Sequence, residues 1–177
     1  RAEAAVFTNE DLVALNEELK GMKNSSTASR ISFTEFVEFT NITELPNDFF
    51  AGSDLVEIAL PNSLTNMGSI YGYNGYLSET QKGTGLFSGC TKLTKIIFPS
   101  NDVFNNESGK ETGVVIPDYF CYGCTSLSEL TLPKGTVCVG DYTFGKTNIR
   151  KMVFPTTTRN LGRIFAANDE GTDTVIE

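Results

Sequence analysis

One unit recurs four times in this chain, and it restricts the fold more than anything else in the sequence. The clearest copy is Phe120-Cys-Tyr-Gly-Cys-Thr-Ser-Leu-Ser-Glu-Leu-Thr-Leu-Pro133. Residues 49–61 and 86–99 carry earlier copies, and residues 143–155 carry a last one. Each ends on apolar-x-x-apolar-x-apolar-Pro. The final apolar position falls at Leu60, Phe98, Leu132 and Phe154, and Phe39 fits as an earlier member. The successive gaps are 21, 38, 34 and 22 residues, which a base period near 22 with two insertions explains. A fixed period of this size means a solenoid or stacked array, because one unit cannot cover its own apolar face.

The physics of one unit follows from its letters. Alternate apolar positions such as Leu130 and Leu132 turn one strand face into a core. The Pro after each strand cannot donate to a ladder and ends it. A turn such as Lys134-Gly135 comes next, then a second apolar pair such as Leu64 with Met67. A short helical or 3₁₀ arc closing on Gly-Cys completes the unit, the Gly allowing a turn without a Cβ clash.

Outside the repeat, Thr8-Asn-Glu-Asp11 offers helix N-caps, and Leu12, Leu15 and Leu19 share one helical face before Gly21. The expected organisation is a single domain. Residues 1–31 form a cap with a helix near 9–20, and 32–155 form a solenoid of about five parallel strands. The first strand is expected over 32–40 with Val37 and Phe39 inward, although Phe33 and Phe36 fit a shifted register nearly as well. Insertions fall near 70–84 and 101–112, and 156–177 reads as an irregular closing repeat. The core is expected from residues such as Leu55, Ile58, Leu60, Phe98, Leu130 and Phe154.

Composition removes several functions. The chain has 14 Lys and Arg against 22 Asp and Glu, a net charge of −8. Nucleic acid demands a basic footprint, so it is not an expected partner. No apolar run reaches the ~20 residues that span a bilayer, and no membrane insertion is expected. The chain holds no His. That removes Ser-His-Asp and Cys-His nucleophiles and the commonest transition-metal ligand. No phosphate-loop, dinucleotide or EF-hand spacing is present. Carboxylate pairs of the glycosidase kind are spatial and stay open. The expectation is a non-enzyme with no cofactor and no metal site.

Cys121-Tyr-Gly-Cys124 matches Cys-x-x-Cys. The alternatives are a redox pair, a structural disulfide and buried thiols. Repeat alignment favours the last, since Cys121 takes the slot of Phe50, Phe87 and Phe144, and Cys124 matches Cys90.

The pattern Phe-x-Gly-Cys-Thr-x-Leu-x-x-Ile/Leu-x-Leu/Phe-Pro resembles the BspA-like leucine-rich repeats of bacterial surface proteins, over about residues 40–155. Ser53 replaces the first Cys, and the last copy lacks Gly-Cys. The resemblance implies an α+β leucine-rich-repeat solenoid with a parallel β-sheet face and helical or 3₁₀ arcs opposite. It further implies a secreted or surface-anchored protein used for adhesion or recognition. Arg1 at the start is read as a mature or trimmed chain without its leader.

Candidate binding residues lie on outward strand positions and in one insertion. Stacked in register, Glu57, Lys95, Glu129 and Lys151 form a ladder of alternating sign with rungs ~4.8 Å apart. It reads either as register control or as a polar recognition face. The parallel row is Ala59, Ile97, Thr131 and Val153, expected to be exposed. Tyr71, Tyr73 and Tyr76 sit in a Gly- and Asn-rich insertion, a composition that suits binding loops; they either contact a ligand or pack back on the solenoid. The function these features suggest is recognition or adhesion to a host extracellular protein or glycan. A structural spacer in a larger surface protein and a glycan-capture accessory are the alternatives. A monomer is expected, with weak end-to-end dimers through open solenoid ends as a second possibility.

Overall fold

The computed structural model describes Asp11, Ala14 and residues 31–33, 42–45, 48–67, 85–100, 113–165 and 175–176. Asp11 and Ala14 are helical, and the rest of the expected N-terminal helix lies outside the described residues. The described chain is built from short parallel strands. These are β1 (Ile31–Phe33), β2 (Leu55–Ala59), β3 (Lys95–Ile97), β4 (Val114–Ile116), β5 (Thr136–Val139), β6 (Lys151–Met152), β7 (Asn160–Leu161) and β8 (Val175–Ile176). They form three sheets, ordered β1-β2-β3, β4-β5-β7 and β6-β8.

This corrects the expectation of one sheet of about five strands. Beyond the turn after Pro133, where only an apolar pair and an arc were expected, residues 136–139 form a second strand, and β4 and β7 join its sheet. Val114-Val115-Ile116 and Thr136-Val137-Cys138-Val139 are rich in β-branched residues, which suit a pleated half-buried surface. Val115 lies opposite Cys138, and Cys138 opposite Asn160. Earlier in the chain the same face shows a parallel bridge between Glu44 and Asn66. The strand that ends at Pro61 or Pro99 makes the first face, and the strand after the turn makes the second. In β1, Phe33 lies opposite Ile58, and Phe36, Val37 and Phe39 lie outside the described residues.

The third side of each unit carries the Phe-x-Gly-Cys stretch. Its arcs are single turns closed by i→i+3 hydrogen bonds, with no continuous helix among the described residues. Gly52, Gly89 and Gly123 occupy the same slot with φ of 65°, 73° and 77°. Lys146 fills that slot in the last copy with φ 57°. The backbone shape therefore survives the loss of Gly, at the strain a non-Gly residue bears there. Units are tied by backbone bonds at this level. Gly52 N–H donates to the Ser88 carbonyl at 2.6 Å, Gly89 to Tyr122 at 2.7 Å and Gly123 to Gly145 at 2.8 Å.

The next residue after each of these is a small donor. Cys90 Sγ donates to the Phe50 carbonyl at 2.9 Å, and Cys124 Sγ to the Phe87 carbonyl at 3.1 Å. Ser53 takes the same place in the first copy, 3.4 Å from Cys90 Sγ, and Thr147 takes it in the last, donating to Phe144 at 2.8 Å. The slot thus needs a small side chain with a proton to give, and this is why Ser and Thr replace Cys without disturbing the stack.

Phe rings run through the interior. Phe50 and Phe87 stack at 5.4 Å, and Phe87 meets Phe120 edge-on at 5.2 Å. Leu55, Ile58, Leu60, Leu93, Leu127, Ile149 and Met152 are buried as expected. Phe98, Leu130 and Phe154 are half-buried at the border of the core.

Candidate functional site

β2 and β3 set the outward side chains of the first face. Glu57 lies opposite Lys95 and Ala59 opposite Ile97, as the ladder expects. Their side chains form no ion pair, so the alternation of sign acts here at the level of placement only. Lys95 is exposed, and Ile97 is 45% exposed. Ala59, expected on the surface, is buried at 5% exposure.

The ladder stops at β3. Residues 129–132 continue the repeat pattern, yet they are not a strand, and none of the backbone bonds outside the sheets joins them to residues 94–98. A groove of about 740 Å³ lies there instead. Lys95, Ile97 and Phe98 line one wall, and Glu129, Thr131 and Lys134 line the other. Glu57 also borders it. So Glu57, Lys95, Ile97 and Glu129 share one groove, but through a break in the sheet and not along a continuous ladder. Lys151 departs from the expectation. It lies on β6 opposite Val175, and no ladder joins β6 to residues 129–132 among the described residues, although Asn148 N–H donates to the Leu127 carbonyl at 3.0 Å just before it. Val153, beside it, is 58% exposed. Tyr71, Tyr73 and Tyr76 lie outside the described residues.

A second surface was not foreseen from the sequence. On the turn side, Tyr119 and Tyr142 stack at 5.0 Å with their planes 12° apart. Tyr122 meets Tyr119 edge-on at 5.4 Å. The ammonium of Lys146 sits 5.6 Å from the Tyr122 ring, and the Arg163 guanidinium 5.1 Å from the Tyr142 ring. Cations over aromatic faces are attracted by the ring quadrupole. Tyr119 and Tyr142 both hold φ of 56°. Burial pushes the Tyr119 phenol up, and the neighbouring Tyr142, Tyr122 and Asp118 add to it. The repeated Asp-Tyr pair, at Asp118-Tyr119 and Asp141-Tyr142, was the signal for this column. Each Asp serves the following unit: Asp118 Oδ1 accepts from Asp141 N–H at 2.7 Å, and Asp141 Oδ1 accepts from Arg163 N–H at 2.7 Å. Burial raises the Asp141 carboxyl, but the Arg163 hydrogen bonds and charge outweigh it and hold it below its usual range. Tyr142 lies between Tyr119 and Arg163, and Lys146 covers a face of Tyr122, so the column holds successive turns together.

The thiols carry no chemistry as placed. Cys90, Cys121, Cys124 and Cys138 are free and buried. Burial pushes Cys90 up to about 12, with Cys124 adding to it, and burial pushes Cys121 well up also. Nucleophilic or redox cysteines need the opposite, a lowered pKa and access. We expect iodoacetamide to leave all four unlabelled in the native chain at pH 8 and to label all four after unfolding, as read by mass spectrometry. Rapid native labelling of Cys121 or Cys124 would contradict this placement. The raised Cys90 value also fixes a sign. Stability is intact below its ordinary 9.0 and declines as pH rises toward about 12, because the unfolded thiol ionises first. Among the described residues no three Cys, Asp or Glu side chains gather as a metal site, and no helix is long and apolar enough to cross a membrane.

A stacked array of short parallel strands, joined through Phe-x-Gly-Cys turns and open along one face, defines a leucine-rich-repeat solenoid. The family model for the BspA type leucine rich repeat region matches in six copies, over residues 7–75, 21–109 and 114–170. The chain belongs to this BspA-type leucine-rich-repeat family. No curated protein matches it. Among solved structures it is similar to a leucine-rich repeat protein of Treponema pallidum, at 22% identity over 68% of this chain and 45% of that one, TM-score 0.48. A leucine-rich repeat protein of Bacteroides ovatus aligns at 20% identity over 81% of this chain and 39% of that one, TM-score 0.41. A leucine-rich cell surface protein of Faecalibacterium prausnitzii aligns at 15% identity over 84% of this chain and 42% of that one, TM-score 0.36. At these TM-scores the likenesses add nothing to the family match. The chain spans less than half the length of each.

Proposed function

We propose that this chain is a non-enzymatic recognition or adhesion module, secreted or displayed at the bacterial surface, that takes a host extracellular protein or glycan in the groove beside β3. One observation carries this reading: the groove gathers Lys95, Ile97 and Glu129 where the sheet face opens. An exposed branched apolar side chain between opposite charges suits a docking surface, with the apolar contact supplying affinity and the charges orientation. Inert thiols and the absence of His support the non-enzymatic part. Tyr71, Tyr73 and Tyr76 are assigned as a second contact, and Lys151 with Val153 as an outlying one. The division into a cap at 1–31, a solenoid at 32–155 and a closing repeat at 156–177 belongs to the same reading, as does a monomer in solution.

The test is binding of the purified chain to arrays of host matrix proteins and glycans. Ile97→Lys, at an exposed position, is expected to leave the melting curve unchanged and to weaken any saturable binding at least about tenfold, 1.4 kcal/mol. The Tyr71/Tyr73/Tyr76 triple alanine is expected to weaken it as well. Saturable binding that both variants retain would overturn the assignment of the groove. Silence across the arrays would favour a spacer.

A further inference from the structure

We propose that the groove is a strand-insertion site, in which an extended polypeptide segment of a partner protein takes the rung missing between β3 and residues 129–132. This rests on the reading of the groove as the recognition face and names its partner as peptide.

The backbone carries the argument. Leu60 N–H donates to the Ile97 carbonyl at 2.9 Å, so the main-chain groups of Ile97 face β2. Successive residues of a strand turn their N–H and C=O to opposite edges. Those of Ile96, between Lys95 and Ile97, therefore face the groove. The opposite wall is in the same condition. Among the described residues, no backbone bond outside the sheets engages Glu129, Leu130, Thr131 or Leu132, and none of these four belongs to a sheet. Two strand-like edges thus face each other across an open groove, each with donors and acceptors to satisfy.

Only one common chemistry meets both edges together. An extended peptide offers an N–H and C=O pair toward each side, repeating every two residues, about 6.6 Å. A glycan offers hydroxyls at no such fixed repeat. The side-chain levels define the peptide further. At one level it would lie between Lys95 and Glu129, opposite charges that favour an uncharged residue. At the next it would lie between Ile97 and Thr131, which favours a β-branched one. The occupant is a short, uncharged, β-branched-rich segment in extended form.

The probe is the blocked pentapeptide acetyl-Leu-Val-Thr-Ile-Ala-amide, the β2 sequence with threonine for its glutamate. It carries a fluorescent tag and is titrated against the full chain by anisotropy. Saturable binding is expected. The same peptide N-methylated at two alternate amides keeps its side chains and loses one edge of hydrogen bonds, and is expected to bind about tenfold more weakly or worse. Thr131→Pro removes a donor from the exposed wall and is expected to weaken the unmethylated peptide to a similar degree. If that variant melts early, the methylated peptide decides alone. Equal affinity of methylated and unmethylated peptides would overturn the proposal, as would no peptide binding. Glycan or folded-protein binding on the arrays without peptide binding would overturn strand insertion while leaving recognition by the groove standing.

Discussion

Phe87→Ala is expected to destabilise the chain by about 3–5 kcal/mol, the range for emptying a buried aromatic site. Phe87 is fully buried, with Phe50 stacked on one side and the edge of Phe120 on the other. Its N–H donates to the Phe120 carbonyl at 2.9 Å, and its own carbonyl accepts from Cys124 Sγ at 3.1 Å. The cavity would therefore open where three units meet. In a repeat array each unit leans only on its neighbours, so one weakened interface uncouples both flanks. Against a typical total of about 5–15 kcal/mol the loss is large. Denaturant midpoints measure it, with Phe87→Leu beside it as the milder change. A loss under about 1 kcal/mol would mean that the ring is not where the stack requires it.

Gly85→Ala is the second large effect. A Cβ on Gly85 would run into the carbonyl of Tyr119 and the amide of Phe120, both backbone. No side chain can swing aside. Gly85 N–H also donates to Ser88 Oγ at 3.0 Å, and that hydroxyl donates to the Tyr119 carbonyl at 2.7 Å, so the two turns are clasped at this contact. Overpacking costs about 1–3 kcal/mol and more where backbone must move, which places this variant at or above the upper end. Gly89→Ala is the internal comparison. Its Cβ would meet only the Gly52 Cα at 3.6 Å, an ordinary contact, and its penalty is the left-handed φ of 73°. That conformation costs about 1–2 kcal/mol. Thermal melts should rank Gly85→Ala well below Gly89→Ala. The reverse order would show that turn conformation, not close approach, limits the stack.

The parts of this fold that were legible in the sequence are those set within one unit. Phe87, Gly89, Cys90 and Leu93 announce a ring, a turn without a Cβ, a small buried thiol and a core contact in a few residues, and each takes that role, the thiol also donating to the Phe50 carbonyl. The Cys-x-x-Cys match resolves the same way, since Cys121 aligns with the Phe slots of the other copies. What was not legible depends on how units meet. Lys95-Ile-Ile-Phe-Pro99 and Glu129-Leu-Thr-Leu-Pro133 have the same pattern, yet the first pairs with β2 and the second pairs with neither neighbour. Register between units is fixed by stacking over gaps of 34 and 38 residues, which no local pattern encodes. Lys151 illustrates the consequence, an exposed position whose ladder partner is Val175 of β8 and not Glu129. The second sheet was missed for another reason. Val114-Val115-Ile116 is too short and too apolar for its period to separate strand from arc. The Tyr119–Tyr142 column was missed because Asp-Tyr recurs only twice, too few copies to stand out beside the main repeat.

The measurement that tests the interrupted sheet most directly is amide hydrogen exchange on the free chain, resolved by residue. The amides of Ile58 and Ile97, bonded within the β2–β3 ladder, are expected to exchange slowly. Those of Ile96 and of residues 129–132, which face the groove or lack a backbone partner, are expected to exchange much faster. Slow exchange at Ile96 and across 129–132, matching that of Ile97, would mean that the sheet is continuous there. The groove would then be closed, and the site built on it would not exist.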